Sequence, residues 1–175
     1  MKLQNKHIVI TGAASGIGRA LALRFARQAP RALVLADVPA RQPALDELAA
    51  SISAGESCAA VPAIGVGCDV AREPQVQALV EGAQQRFGPV DLFCSNAGLI
   101  RDGTEAAPDE EWTLNWQVHV MAHVYAARAV LPGMLARGEG YLLNTASAAG
   151  LITSLPSATY AVSKHAAIAL AEWLA

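Results

Sequence analysis

A doubly wound α/β domain with five parallel strands is the architecture this sequence predicts, on three observations. Short β-branched runs lack polar alternation, apolar residues recur at helical spacing between those runs, and a glycine-rich turn joins the first run to the first helical stretch.

His7-Ile-Val-Ile-Thr11 reads as a first strand buried on both faces, because it stays apolar until Gly12 halts it. From Gly16 to Gln28 the residues Ile17, Ala20, Leu21 and Phe25 fall on one helical face, and Pro30 stops the pattern. The cycle then repeats with Ala32–Ala36 as a strand, Pro43–Ser53 as a helix and Val61–Cys68 as a third strand broken by Gly65 and Gly67. Pro74–Phe87 reads as a helix stopped by Gly88-Pro89, ahead of a fourth strand at Val90–Ser95. Glu110–Ala136 is a long helical pattern, Gly140–Thr145 a fifth strand, and Ser157–Ala175 a last helix. Strict alternation implies right-handed crossovers with helices on both faces, and the expected strand order is 3-2-1-4-5.

The 175 residues suit one domain, so residues 1–175 are read as a single folding unit. The composition is 53% hydrophobic and only 5% aromatic, which leaves Ala, Val and Leu to fill a buried parallel sheet. A net charge of -2 with no Lys/Arg cluster offers no footprint for nucleic acid or an anionic membrane. Cys58, Cys68 and Cys94 are odd in number and far apart, which suggests neither a disulfide framework nor a zinc knuckle. The polar start from Met1 to His7 leads into an apolar run too brief for a signal segment or membrane span. A reduced, cytoplasmic setting is the expectation.

Thr11-Gly12-Ala13-Ala14-Ser15-Gly16-Ile17-Gly18 lies where the first strand feeds the first helix, so free backbone N–H groups and the positive helix end would face a pyrophosphate. The same glycines would also serve tight helix-to-strand packing. Asp37, at the end of the second strand, narrows the reading, since its carboxylate can accept hydrogen bonds from ribose hydroxyls and would repel a 2′-phosphate. Ser15 and Val38 bring no positive charge, which favours NAD over NADP, with Arg41 nearby as the opposing feature. The other reading of Asp37 is a solvated residue entering a turn before Pro39.

Tyr160 and Lys164 stand four apart on the last helix and share a face. A free tyrosine titrates near ~10, too high for proton exchange at neutral pH, and an adjacent ammonium stabilises the phenolate. Ser147 follows the fifth strand at the carboxyl edge where open α/β sheets bind ligands, and its hydroxyl suits a substrate oxygen. Taken singly, Ser147 also reads as a helix cap, Tyr160 as a half-buried core residue and Lys164 as a surface lysine.

With Thr11–Gly18, Asp69-Val70, Ser95-Asn96-Ala97-Gly98, Ser147 and Tyr160-Ala-Val-Ser-Lys164 in this order, the chain resembles the short-chain dehydrogenase/reductase family over essentially its whole length. The resemblance implies a Rossmann-type fold and an oxidoreductase acting on a secondary alcohol or ketone. It implies that Tyr160 exchanges the proton, that Ser147 orients the carbonyl or alcohol, and that Lys164 also binds the nicotinamide ribose. It further implies that Gly12, Ser15, Gly16, Ile17 and Gly18 hold the pyrophosphate, that Asp69 and Val70 flank adenine, and that Asn96, Ala97 and Gly98 steady the central sheet beside the cofactor. In that family the two helices Glu110–Ala136 and Ser157–Ala175 build a homodimer or homotetramer interface.

The sequence departs from the family at two places. After Trp112 the family usually carries an asparagine, a member of its catalytic tetrad that holds a water linking the lysine to solvent, where this chain has His119. Imidazole has another shape and one donor when neutral, which puts that proton relay in question, although the backbone carbonyl of His119 remains able to hold the water. Two further strands and a substrate-covering loop normally follow the last helix, so truncation and an uncovered fifth strand are expected. His119 and His123 have the spacing of two metal ligands but lack an acidic third, so no metal is assigned. His165 is expected off the Tyr160 face, and Gly65-Val66-Gly67 reads as a packing or bending feature. A non-catalytic NAD-binding remnant or interaction module is the rival reading. Another doubly wound fold, such as a methyltransferase, has no use for Ser147, Tyr160 and Lys164 together.

Overall fold

The computed structural model describes residues 2–56, 59–153 and 155–175. Five strands run β1 (His7–Thr11), β2 (Ala32–Asp37), β3 (Ala63–Gly67), β4 (Leu92–Ser95) and β5 (Tyr141–Asn144). They form one sheet in the order β3-β2-β1-β4-β5, with every pairing parallel. This is the expected Rossmann-type order, with the reversal between β1 and β4 opening a crevice at the carboxyl ends.

Among the described residues six α-helices accompany them: α1 (Gly16–Ala26), α2 (Gln42–Ala54), α3 (Glu73–Phe87), α4 (Asp109–Trp116), α5 (Ala122–Arg137) and α6 (Ala158–Leu174), the last following β5. Because side chains alternate along a strand, Ile8, Ile10, Leu33, Leu35 and Cys94 face α1 and α2, while Val9, Val34, Ala36 and Phe93 face α3 and α5. That two-sided burial is why these strands carry no polar alternation. Gly65 of β3 has a packing reason, since a Cβ there would stand 2.7 Å from that of Leu45 on α2. No described helix is long and apolar enough to cross a membrane.

The helix expected over Glu110–Ala136 is interrupted. Between α4 and α5 the chain takes one wider π-helical turn at Gln117–Met121, where the Ala122 N–H donates to the Gln117 carbonyl. Such a turn holds one surplus residue, invisible to a count of apolar spacing because both flanks keep their helical periodicity. His119 lies within this turn and is buried.

β5 pairs with β4 along one edge, and its outer edge borders a groove of about 690 Å³ lined partly by Leu131, Met134, Leu142 and Leu174. Cys68 and Cys94 are buried free thiols, which burial pushes up to about 11 and about 12, so neither is poised as a nucleophile. Cys58 lies outside the described residues.

Candidate active site

The glycine turn is shaped by what it must avoid. Gly12 sits at φ +67, and a Cβ there would come 2.8 Å from the Cα of Ala97. At Gly18 a Cβ would fall 2.1 Å from the Gly12 carbonyl oxygen, so the start of α1 lies directly against the turn. Ser15 precedes α1 in extended conformation and its side chain makes no capping bond. The first N–H groups of α1 therefore keep their capacity for an anion.

Asp37, at the end of β2, accepts from the Ala14 N–H at 3.0 Å and the Val38 N–H at 2.8 Å. Each carboxylate oxygen retains a lone pair for a further donor. The residue thus braces the turn and also lines the cleft.

Asn96 ties three strands together. Its N–H donates to Thr11 Oγ1 at 3.0 Å and its side-chain amide to the Thr11 carbonyl at 3.0 Å, while its Oδ1 accepts from Thr145 Oγ1 at 3.0 Å. Ala97 N–H joins Thr11 Oγ1 at 3.1 Å, and that hydroxyl donates to the Cys94 carbonyl. Thr11 and Thr145 are the hubs of this network, yet a hydroxyl at a strand end carries no local sign of its partners.

Ser147 Oγ accepts from the Ala149 N–H at 3.2 Å, capping a short 3₁₀ turn over Ala148–Gly150. With the oxygen engaged as an acceptor, the hydroxyl proton is left for a ligand oxygen. Ser157 caps α6 by accepting from the Tyr160 N–H at 3.3 Å and donates to the Arg101 carbonyl at 2.6 Å. It fixes Tyr160 in the first turn, close to the positive helix end. Lys164, one turn on, is 4% exposed and donates to the Thr145 carbonyl at 3.0 Å. Its Nζ stands 5.7 Å from the centre of the Tyr160 ring, and burial pushes the ammonium below the ordinary lysine value.

His119 is wholly buried. Its Nε2 accepts from the Leu99 N–H at 3.2 Å and its Nδ1 meets Ser163 Oγ at 2.9 Å, so both ring nitrogens are engaged and neither is left for a water. Burial first, then the Lys164 charge, lowers its pKa to about 4. His123 faces elsewhere, with Nδ1 at 3.0 Å from Asn144 Oδ1, and burial with Lys164 likewise lowers it to about 4. Among the described residues no cluster of three His, Cys, Asp or Glu side chains is placed to hold a metal ion. His165 is exposed and bonds back to the Ala161 carbonyl at 2.8 Å, off the Tyr160 face as expected.

One open cleft of about 860 Å³ runs along the carboxyl edge of the sheet. Of the candidates, Gly12, Ser15, Gly16, Ile17, Asp37, Asp69, Val70, Asn96, Ala97, Gly98, Ser147, Tyr160 and Lys164 all line it. Gly18 and His119 do not: the first lies behind the turn and the second behind Leu99. Arg41, Leu99, Ile100, Val118 and Thr145 also line the cleft, outside the set the motifs single out. Loop residues such as Ile100 have no motif to mark them.

A five-stranded parallel sheet of order 3-2-1-4-5, flanked by helices and with a glycine turn at the switch point, is a Rossmann-type α/β fold. The model for short chain dehydrogenase matches residues 6–175, and the chain belongs to the short-chain dehydrogenase/reductase family. It is 39% identical over 179 residues to the 1-deoxy-11-beta-hydroxypentalenate dehydrogenase of Streptomyces exfoliatus, a match covering 99% of this chain and 62% of that protein. The cyclohexanol dehydrogenase of an Acinetobacter strain is 35% identical, with 98% of this chain and 66% of that protein covered. A crystal structure of a family member from Burkholderia phymatum in complex with NAD superposes with a TM-score of 0.91 at 38% identity, covering 99% of this chain and 60% of that one. The chain thus spans about three fifths of the length of its first relatives.

Proposed function

We propose that this chain is the cofactor-binding and proton-transferring core of an oxidoreductase that moves a hydride between NAD and a secondary alcohol or ketone. The observation that carries the reading is the single cleft joining the glycine turn and Asp37 at one end to Ser147, Tyr160 and Lys164 at the other. The residues fit a dinucleotide: the free N–H groups of α1 suit the pyrophosphate, and Asp37 keeps lone pairs for ribose hydroxyls. NAD is favoured over NADP because Asp37 is fixed by two N–H donors, whereas Arg41 is an exposed side chain on the cleft rim. The NAD bound by the Burkholderia phymatum relative supports the same choice.

NAD, when bound, supplies the hydride chemistry. The Tyr160 hydroxyl gives a proton to the carbonyl oxygen in reduction and takes it back in oxidation. Ser147 donates its hydroxyl proton to that same oxygen and so holds it in place. Lys164, spending one N–H on the Thr145 carbonyl, has two more for a ribose hydroxyl and supplies the positive charge that a phenolate needs. The dehydrogenase names of the relatives, cyclohexanol dehydrogenase among them, support an alcohol as substrate.

A panel of secondary alcohols assayed with NAD tests this. Tyr160→Phe should lower kcat by roughly 10²–10⁴-fold while NADH still binds. Turnover undiminished by that substitution would remove Tyr160 from the reaction. The rival reading, a non-catalytic NAD-binding remnant, is favoured by the engaged nitrogens of His119, and it predicts saturable NADH binding with no turnover of any alcohol. A cytoplasmic location and a homodimer or homotetramer built on α4–α6 are part of the proposal.

A further inference from the structure

We infer that His119 is a positioning residue, a neutral imidazole held as its Nδ1–H tautomer that clamps the loop after β4 onto α6 and so sets where Tyr160 stands against the cleft. The kinetic half of this inference rests on the role proposed for Tyr160.

The hydrogen bonds leave one arrangement. The Leu99 N–H is a fixed donor at 3.2 Å from Nε2, so that nitrogen carries no proton. A neutral ring then has its proton on Nδ1, which donates to Ser163 Oγ at 2.9 Å. Ser163 in turn spends its hydroxyl hydrogen on the Tyr160 carbonyl at 3.0 Å, a back-bond that serine often makes within a helix. That bond aims the serine lone pairs outward, where the imidazole N–H meets them. A directed chain therefore runs from the Leu99 N–H through His119 and Ser163 to the backbone of Tyr160.

Packing fixes the rings in the same sense. The His119 and Tyr160 rings meet edge to face, with centres 5.2 Å apart and planes at 89°. The π turn places His119 at this junction, packed beside Gly98 of the loop. The loop that is clamped carries Asn96, Ala97, Gly98 and Leu99, all lining the cleft. The charged and titratable groups facing the ring are Lys164 and Tyr160 from α6 and His123 from α5. With both nitrogens engaged, the ring has no site for a relay water, so its contribution is geometric.

The test uses the whole 175-residue chain labelled with ¹⁵N-histidine and ¹³C-tyrosine. Long-range ¹H–¹⁵N spectra should show His119 as the Nδ1–H tautomer, and Ser163→Ala should shift the ring carbons of Tyr160. In kinetics, Ser163→Ala and His119→Asn should each lower kcat about tenfold with NADH affinity changed less than about twofold, and the double variant should be no worse than the poorer single, because both cut one chain. An Nε2–H tautomer, or additive losses, would overturn the clamp, as would folded variants with unchanged kcat. A wild-type chain that binds NADH but turns over nothing would sink the proposed reaction instead, and the tautomer and the Tyr160 shift would then decide the clamp alone.

Discussion

At Gly18 one methyl group decides whether the glycine turn closes, because an added Cβ would sit 2.1 Å from the Gly12 carbonyl oxygen. The backbone must move to relieve such overlap, at about 1–3 kcal/mol. Gly18→Ala is therefore expected to lower Tm and weaken NADH binding at least tenfold, readable from a melt and a titration of the same sample. Thr11 is a second single point of failure. Its hydroxyl accepts from the Asn96 and Ala97 N–H groups, and Thr11→Val would orphan both, at about 1–3 kcal/mol each. A urea midpoint that stayed put in Thr11→Val would show that water replaces the hydroxyl. The two residues differ in how far sequence reveals them. The glycine spacing announces a tight turn, while nothing near Thr11 announces two donors arriving from some 85 positions away.

Among the elements, strands are the more legible because burial on both faces leaves an unbroken apolar run. Three form shorter than expected: Ala63–Gly67 within Val61–Cys68, Leu92–Ser95 within Val90–Ser95 and Tyr141–Asn144 within Gly140–Thr145, and in β3 the pairing with Leu33–Asp37 of β2 covers only those five residues. The π turn between α4 and α5 is not legible, because both flanks keep helical spacing and the partners of its His119, Leu99 and Ser163, are distant in sequence. Lys164 is marked by its spacing from Tyr160, but its burial against the Thr145 carbonyl is not legible, because lysine alone reads as surface. At this scale Asn96 is the testable joint. It binds β1 through Thr11 and the end of β5 through Thr145, so Asn96→Ala should speed hydrogen exchange at both strand ends. Exchange that changed only at β4 would show that the side chain does not couple the strands. Exposed Trp116, Leu135 and Trp173 on α4, α5 and α6 suit an interface between copies, and a dimer or tetramer by light scattering is the expected mass.

For the whole molecule, buried neutral histidines link stability to pH. His119 and His123 titrate near 6.5 when unfolded and at about 4 when folded, mainly through burial and the Lys164 charge. The native protein therefore holds fewer protons than the unfolded chain between those values. The stabilising contribution is complete above about pH 6.5 and drains as pH falls towards 4, by roughly 3 kcal/mol per histidine at most. His7, also lowered by burial, acts in the same direction. Tm should fall steeply between pH 7 and pH 4.5, and a His123→Gln variant should lose part of that slope. A flat profile would mean that these rings take up protons in the native state.

Titrating the chain with NADH and with NADPH while following nicotinamide fluorescence decides whether the cleft is built for NAD. Saturable NADH binding, at least tenfold tighter than NADPH and losing that preference in Asp37→Asn, is the predicted result. Equal or tighter NADPH binding would transfer control of the adenosine end from Asp37 to Arg41, and no binding of either by the folded chain would mean that the cleft does not hold a nicotinamide dinucleotide.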